Sequence, residues 1–341
     1  PWVYVAVNRI AEAAALMYMA VDFLLLRPGM QGPVRLDAGS PESYRRILRD
    51  LILTAIPITI GASIVPLAGA VDSFMLVRLM KSYLPEQEAL SRYGIYSGLV
   101  IALINVPTAL AMAMATNLVP SISAKRAAGN QEGVRRDAAT GLRLAMVVGL
   151  PSSVGMSLLA GPILTLLFHK EYSPDQLRMG ADLLRISALT IVVFTLVQST
   201  SGILQGLHKQ RIPMYTLFLG IVVKVAVNYT AVNMPQVNIT GAPYASLVCY
   251  LISAGLNLHY VLKYTGLAWS WQDMLLRPGL ATLAMALPVA LASFLWGEAL
   301  GRSWLMMGLV TGLAVLLYAA AGLMTGAVRR SELPGRLGGR K

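Results

Sequence analysis

The chain holds 341 residues, 56% of them hydrophobic and only 13% charged, with 28 basic against 16 acidic side chains and a net charge of +12. Soluble domains carry about 25% charged residues. One or two cores in a chain of this size cannot hide so much apolar surface, because surface falls too slowly with size. That balance excludes an ordinary soluble enzyme and points to a chain whose solvent is the lipid bilayer.

The positive charge does not read as a nucleic-acid surface, because the basic residues sit in short connections between apolar stretches. One cysteine, Cys249, excludes a disulfide framework, a thiolate zinc site and a CxxC redox pair. His169, His208 and His259 are scattered and suggest no metal site. There is no HExxH, GxSxG, Walker loop or GxGxxG, and the outward acids Glu86, Glu88, Glu171, Asp175 and Glu298 form no close catalytic pair. No enzyme and no cofactor is expected.

Nine stretches are long enough to span at about 20 residues each. The chain starts at Pro1 without a signal-peptide pattern and reads as one lacking its natural beginning. The first stretch, 2–26, is interrupted by Arg9 and Glu12. A basic connection, 27–50, ends in SPESYRRILRDL, where Arg45, Arg46 and Arg49 stand beside Ile47, Leu48 and Leu51. A cap signal followed by that pattern suits a helix lying on an anionic leaflet. The second span, 52–80, carries Asp72 and Arg78, and the third, 94–119, carries Asn105 just before Val106-Pro107. The fourth is 140–167, with Arg143 near its end. The fifth, 179–206, carries Arg185, then Gln198 and Gln205 seven apart on one face. The sixth, 212–232, sets Lys224 and Asn228 four apart on one face. Spans 239–263, 277–297 and 303–327 complete the set, and the last holds Gly308–Gly312 and Gly322–Gly326, two GxxxG motifs that predict close helix packing. Pro57, Pro66, Pro107, Pro151 and Pro288 predict kinks. The expected fold is all-α, a polytopic transmembrane bundle of about nine spans.

Alternate connections differ sharply in charge. Arg27, Arg35, Arg45, Arg46, Arg49, Lys125, Arg126, Arg135, Arg136, Lys209, Arg211, Lys263, Arg277 and five basic residues of the tail lie on one side. Lys81, Arg92, Lys170, Arg178 and Arg302 lie on the other. The positive-inside rule makes the rich side, and the C-terminus, cytoplasmic. Aromatics at span ends (Tyr83, Tyr93, Trp269, Trp271, Trp304) suit an interfacial belt.

Asp72, Lys224 and Arg185 lie six to eight residues from the outer ends of their spans. At about 1.5 Å per residue that is roughly 9–12 Å deep. Ionisable residues at such depth normally face a bundle interior or an aqueous cavity. One acid and two bases at one level are therefore expected to share a cavity, with a surplus of positive charge.

Several segments resemble the stage V sporulation protein B and polysaccharide-export family, of the multidrug/oligosaccharidyl-lipid/polysaccharide exporter superfamily. They are AIPITIGASIVPLAGAVDSFMLVRL, YGIYSGLVIALINVPTALAMAMATNLVPSISA, GLPSSVGMSLLAGPILTLLF, LVQSTSGILQGL, GIVVKVAVNY and NITGAPYASLVCYLISAGLN, which occur in family order across roughly 40–325. The resemblance implies fourteen helices in two six-helix lobes plus two, around a cavity that opens alternately to each side. Residues 1–26 would be the last helix of an incomplete first lobe, and 27–50 a cytoplasmic linker with an amphipathic helix. Residues 51–264 would form the second lobe, 265–327 the two additional helices, and 328–341 a cytoplasmic tail. Residues 1–12 depart from the family pattern.

The function so implied is flippase-type translocation of a lipid-linked oligosaccharide, or of a peptidoglycan or polysaccharide precursor, across the bacterial plasma membrane in wall growth or sporulation. The alternative is a cation-coupled multidrug exporter of the same superfamily. The partners are the lipid-linked glycan, the bilayer and a coupling ion, sodium or proton; nucleic acid is not among them. Asp72, Arg78, Asn105, Arg185, Gln198, Gln205, Lys224 and Asn228 are the substrate-binding candidates. A pyrophosphate favours a basic cavity and a cationic drug an acidic one, so the deep cations favour the flippase.

Overall fold

A computed structural model describes Met17 and residues 44–327; before Pro66 the side chains described are those of Met17, Arg45, Leu48, Arg49 and Ile52. The expected span 2–26, apart from Met17, and the tail 328–341 lie outside the described residues. Contacts divide the chain into residues 1–56 and residues 57–341. In the first unit, Arg45, Leu48, Arg49 and Ile52 are exposed on helical backbone that begins at Tyr44.

The described residues form helices and turns without a strand. They are α1 (Tyr44–Met80), α2 (Glu86–Ala127, with a π turn at Ile95–Val100), α3 (Gln131–Leu158), α4 (Ala160–Phe168), α5 (Pro174–Gly206), α6 (Arg211–Val232), α7 (Gly241–Thr265), α8 (Gln272–Leu300) and α9 (Trp304–Thr325). Helices are what an apolar chain must form in lipid, where every backbone polar group needs an internal partner. Seven of them, α2, α3 and α5 to α9, are long and apolar enough to cross a membrane. They match the third to ninth expected spans, and α1 contains the second.

Side-chain chemistry sets the helix boundaries. Asn130 caps α3 by accepting from the Gly133 N–H at 2.8 Å. Ser173 and Gln176 form a reciprocal capping box on α5, satisfying two donors that a helix start leaves free. Gly266, at φ +64°, ends α7 in the left-handed conformation that suits glycine. The basic connections also have structural work. Arg126 donates to the Leu207 carbonyl, Arg135 to that of Thr265 at 3.0 Å and Arg143 to that of Ala327 at 3.3 Å. These carbonyls end α5, α7 and α9, where the helix dipole favours a cation.

α5 is the central post. It packs against α2, α3 and α7; α6 lies on α7, and the α8–α9 pair leans on α3. A Cβ at Gly202 would stand 2.6 Å from the Ala115 carbonyl oxygen, and one at Gly220 2.6 Å from that of Cys249. Small residues let backbones approach in this way, and they supply packing where lipid removes the hydrophobic drive between helices. Hydrogen bonds add to it. Thr216 donates to Asn257 at 2.6 Å, Asn257 to Ser201 at 3.3 Å and Ser253 to the Thr216 carbonyl at 3.1 Å, tying α5, α6 and α7. Tyr318 (2.7 Å to the Val147 carbonyl) and Ser293 (3.0 Å to the Leu158 carbonyl) pin α9 and α8 to α3. Large apolar side chains point outward, among them Phe294 and Met324 at 86% and 87% exposure. That exterior is soluble only in lipid.

Two local expectations are revised. A Cβ at Gly308 or Gly312 would meet nothing of this chain within 4 Å, so this GxxxG makes no close packing here; Gly326, at φ +73°, serves as the C-cap of α9. Pro288 sits inside α8, but the backbone departs from helix at Trp296 instead (φ −126°, ψ 22°).

Candidate functional site

The last turns of α1 enter the bundle through Leu76 and Met80, both fully buried in a cluster with Tyr96, Leu99, Val232, Ile239 and Ala242. Just beyond, the Tyr83 hydroxyl donates to the Val232 carbonyl at 2.7 Å. Burial raises the Tyr83 phenol above its ordinary value, with nearby Arg92 pulling the other way, so it stays a protonated donor at neutral pH.

Two turns into the helix from this contact, Lys224 on α6 forms an ion pair with Asp72 on α1, and Asn228, one turn along α6, donates to the other Asp72 oxygen at 3.1 Å. The side chains of Lys224 and Asp72 are 12% and 16% exposed, and Asn228 is fully buried with its Oδ1 lacking a hydrogen-bond partner. Tyr96, Cys249 and Tyr250 lie within electrostatic range of the pair. The shared face of Lys224 and Asn228 thus grips one carboxylate from the neighbouring helix. Buried charges persist when paired and hydrogen-bonded, and this clasp meets both conditions.

Of the eight candidates, the structure brings together Asp72, Lys224 and Asn228. Arg185 does not join them; it pairs with Asp182 at 2.7 Å, three residues earlier on α5, with both side chains more than half exposed. The expected surplus of deep cations is corrected accordingly, since Lys224 and Arg185 each have a carboxylate. The i, i+3 spacing of Asp182 and Arg185 was the available signal. Arg78, Asn105 and Gln205 are exposed and Gln198 is half-buried. Arg143, expected near a span end, is 4% exposed. Among the described residues, no group of three His, Cys, Asp or Glu could hold a metal.

A family model described as lipid II flippase MurJ matches residues 45–316. The chain belongs to the lipid II flippase MurJ family. Among curated relatives, the lipid II flippase MurJ of Bacillus subtilis is 24% identical over 227 residues, 67% of this chain and 41% of that protein. The sporulation protein YkvU of the same organism is 21% identical over 171 residues, 50% of this chain and 38% of that one. The chain spans about two fifths of the length of the curated relatives it matches. A solved MOP superfamily transporter from Pyrococcus furiosus shares the fold, with a TM-score of 0.52 at 18% identity over 80% of this chain and 62% of that one. The MurJ family assignment bears out the resemblance read from the motifs, the shared all-α fold agrees with it, and with seven apolar helices the chain is a multi-pass membrane protein.

Proposed function

We propose that the protein carries a lipid-linked glycan precursor of the lipid II class across the cytoplasmic membrane by alternating access. Residues 51–264 would act as one lobe and 265–327 as two added helices. The observation that carries this reading is the MurJ family match across 45–316.

In this reading the clasp pins α1 to α6 and keeps the lobe rigid while it rocks. The Arg185–Asp182 pair is the exchangeable one. Exposed pairs are worth about 1 kcal/mol or less, so Arg185 can leave Asp182 for a pyrophosphate, to which guanidinium offers two parallel hydrogen bonds. A coupling ion, sodium or proton, would drive the cycle. The basic connections face the cytoplasm, and the C-terminus with them.

The test uses the natural protein containing this chain, expressed in bacteria depleted of their own lipid II flippase. Growth and wall synthesis are expected to recover. With Cys249→Ser and Glu132→Cys introduced, an impermeant thiol reagent is expected to label only from the inside. A membrane-inserted protein that fails to restore growth overturns the proposed substrate; labelling from outside overturns the orientation.

A further inference from the structure

A cleft of about 280 Å³ opens between α2, α3 and α5, away from the clasp. Its walls divide along their length. One end carries Asn117, Ser121, Asp137, Thr140 and Ser199; the other is mostly apolar, with Met114, Leu144 and Val148 among its residues, and the hydroxyl of its Thr195 is spent on the Ala145 and Val192 carbonyls. From Asp137 to Val148 along α3 is a rise of about 16 Å at 1.5 Å per residue.

The polar end is built rather than incidental. Asp137 accepts from Ser121 at 2.5 Å and from Lys125 at 2.5 Å, with 17% of its own side chain exposed. A carboxylate offers about four lone-pair directions, so two remain. Ser199, 5% exposed, lines the same cleft, and its hydroxyl has no hydrogen-bond partner. Buried hydroxyls are almost always satisfied, so Ser199 has a hydrogen bond to offer at this wall of the cleft.

We infer that this cleft holds one acyl chain of a zwitterionic ethanolamine phospholipid, with its headgroup at Asp137 and Lys125. The apolar end takes the chain, and the Ser199 hydroxyl meets a polar oxygen of the lipid below the headgroup. The Asp137–Lys125 ion pair gives the polar end one charge of each sign, Asp137 lining the cleft and Lys125 held beside it. The primary ammonium donates to the open lone pairs of Asp137, and the phosphate meets Lys125. A choline head lacks the N–H donors, and an anionic glycerol head brings no ammonium to the open lone pairs of Asp137 and adds net negative charge beside a pair that is already neutral. This site is independent of the transport reading.

The test is native mass spectrometry of the natural protein released from vesicles of equal phosphatidylethanolamine and phosphatidylglycerol. The wild type is expected to retain one phosphatidylethanolamine per chain, preferred about tenfold, as a charge-assisted hydrogen bond allows. Asp137→Asn keeps the shape, frees Lys125 and should turn the preference towards phosphatidylglycerol. Gly141→Ala should lower retention of both, because its Cβ would press on Leu118, which lines the cleft, at 2.6 Å. Equal retention of the two lipids by the wild type, or an unchanged preference in Asp137→Asn, overturns the inference. Neither result depends on whether Gly141→Ala folds.

Discussion

Lys224→Ala is expected to cost about 3–5 kcal/mol of stability, the range for removing one partner of a buried ion pair. The substitution leaves the Asp72 carboxylate in a site where its other partner, Asn228, supplies one neutral hydrogen bond. Thermal unfolding of the natural protein in micelles should show the loss. Exchanging both charges, Asp72→Asn with Lys224→Met, should recover most of it, because a buried pair replaced by well-packed neutral groups is often nearly neutral. A single mutant within about 1 kcal/mol of the wild type would mean that the pair is wet and exchangeable like an exposed one. A double mutant as unstable as the single would mean that shape, not charge, joins α1 to α6.

Gly202→Leu should be comparably damaging for a different reason. The Ala115 carbonyl that it would strike is backbone, so relief requires α2 and α5 to move apart along their contact. Overpacking typically costs about 1–3 kcal/mol and more where the neighbour cannot yield. The folded fraction after purification should fall steeply, and Gly98→Leu serves as a control, since a Cβ there meets nothing within 4 Å. Equal behaviour of the two variants would contradict the close approach.

Much of the fold was legible in the sequence, because the signals are one-dimensional. Span length and composition locate the helices, and alternating loop charge checks the count. The clasp was half legible. Position along a span gives depth, which placed Asp72 and Lys224 at one level, and the four-residue spacing added Asn228. Depth says nothing about azimuth, which turns by about 100° per residue. Arg185 has a comparable depth yet points elsewhere and is satisfied locally by Asp182. The α2–α3–α5 cleft was not legible at all. Ala111 and Ala115 on α2 and Gly141 and Ala145 on α3 shape it by what they lack, and their spacing is ordinary for packed helices until the two helices meet beside α5.

The most direct measurement reconstitutes the natural protein in vesicles with a fluorescent lipid II analogue and follows loss of signal to a membrane-impermeant quencher. Movement of the analogue between leaflets, reduced by Arg185→Ala and indifferent to cationic dyes, is the expected result. Vesicles in which the analogue stays put, while a cationic dye is carried, would contradict the account.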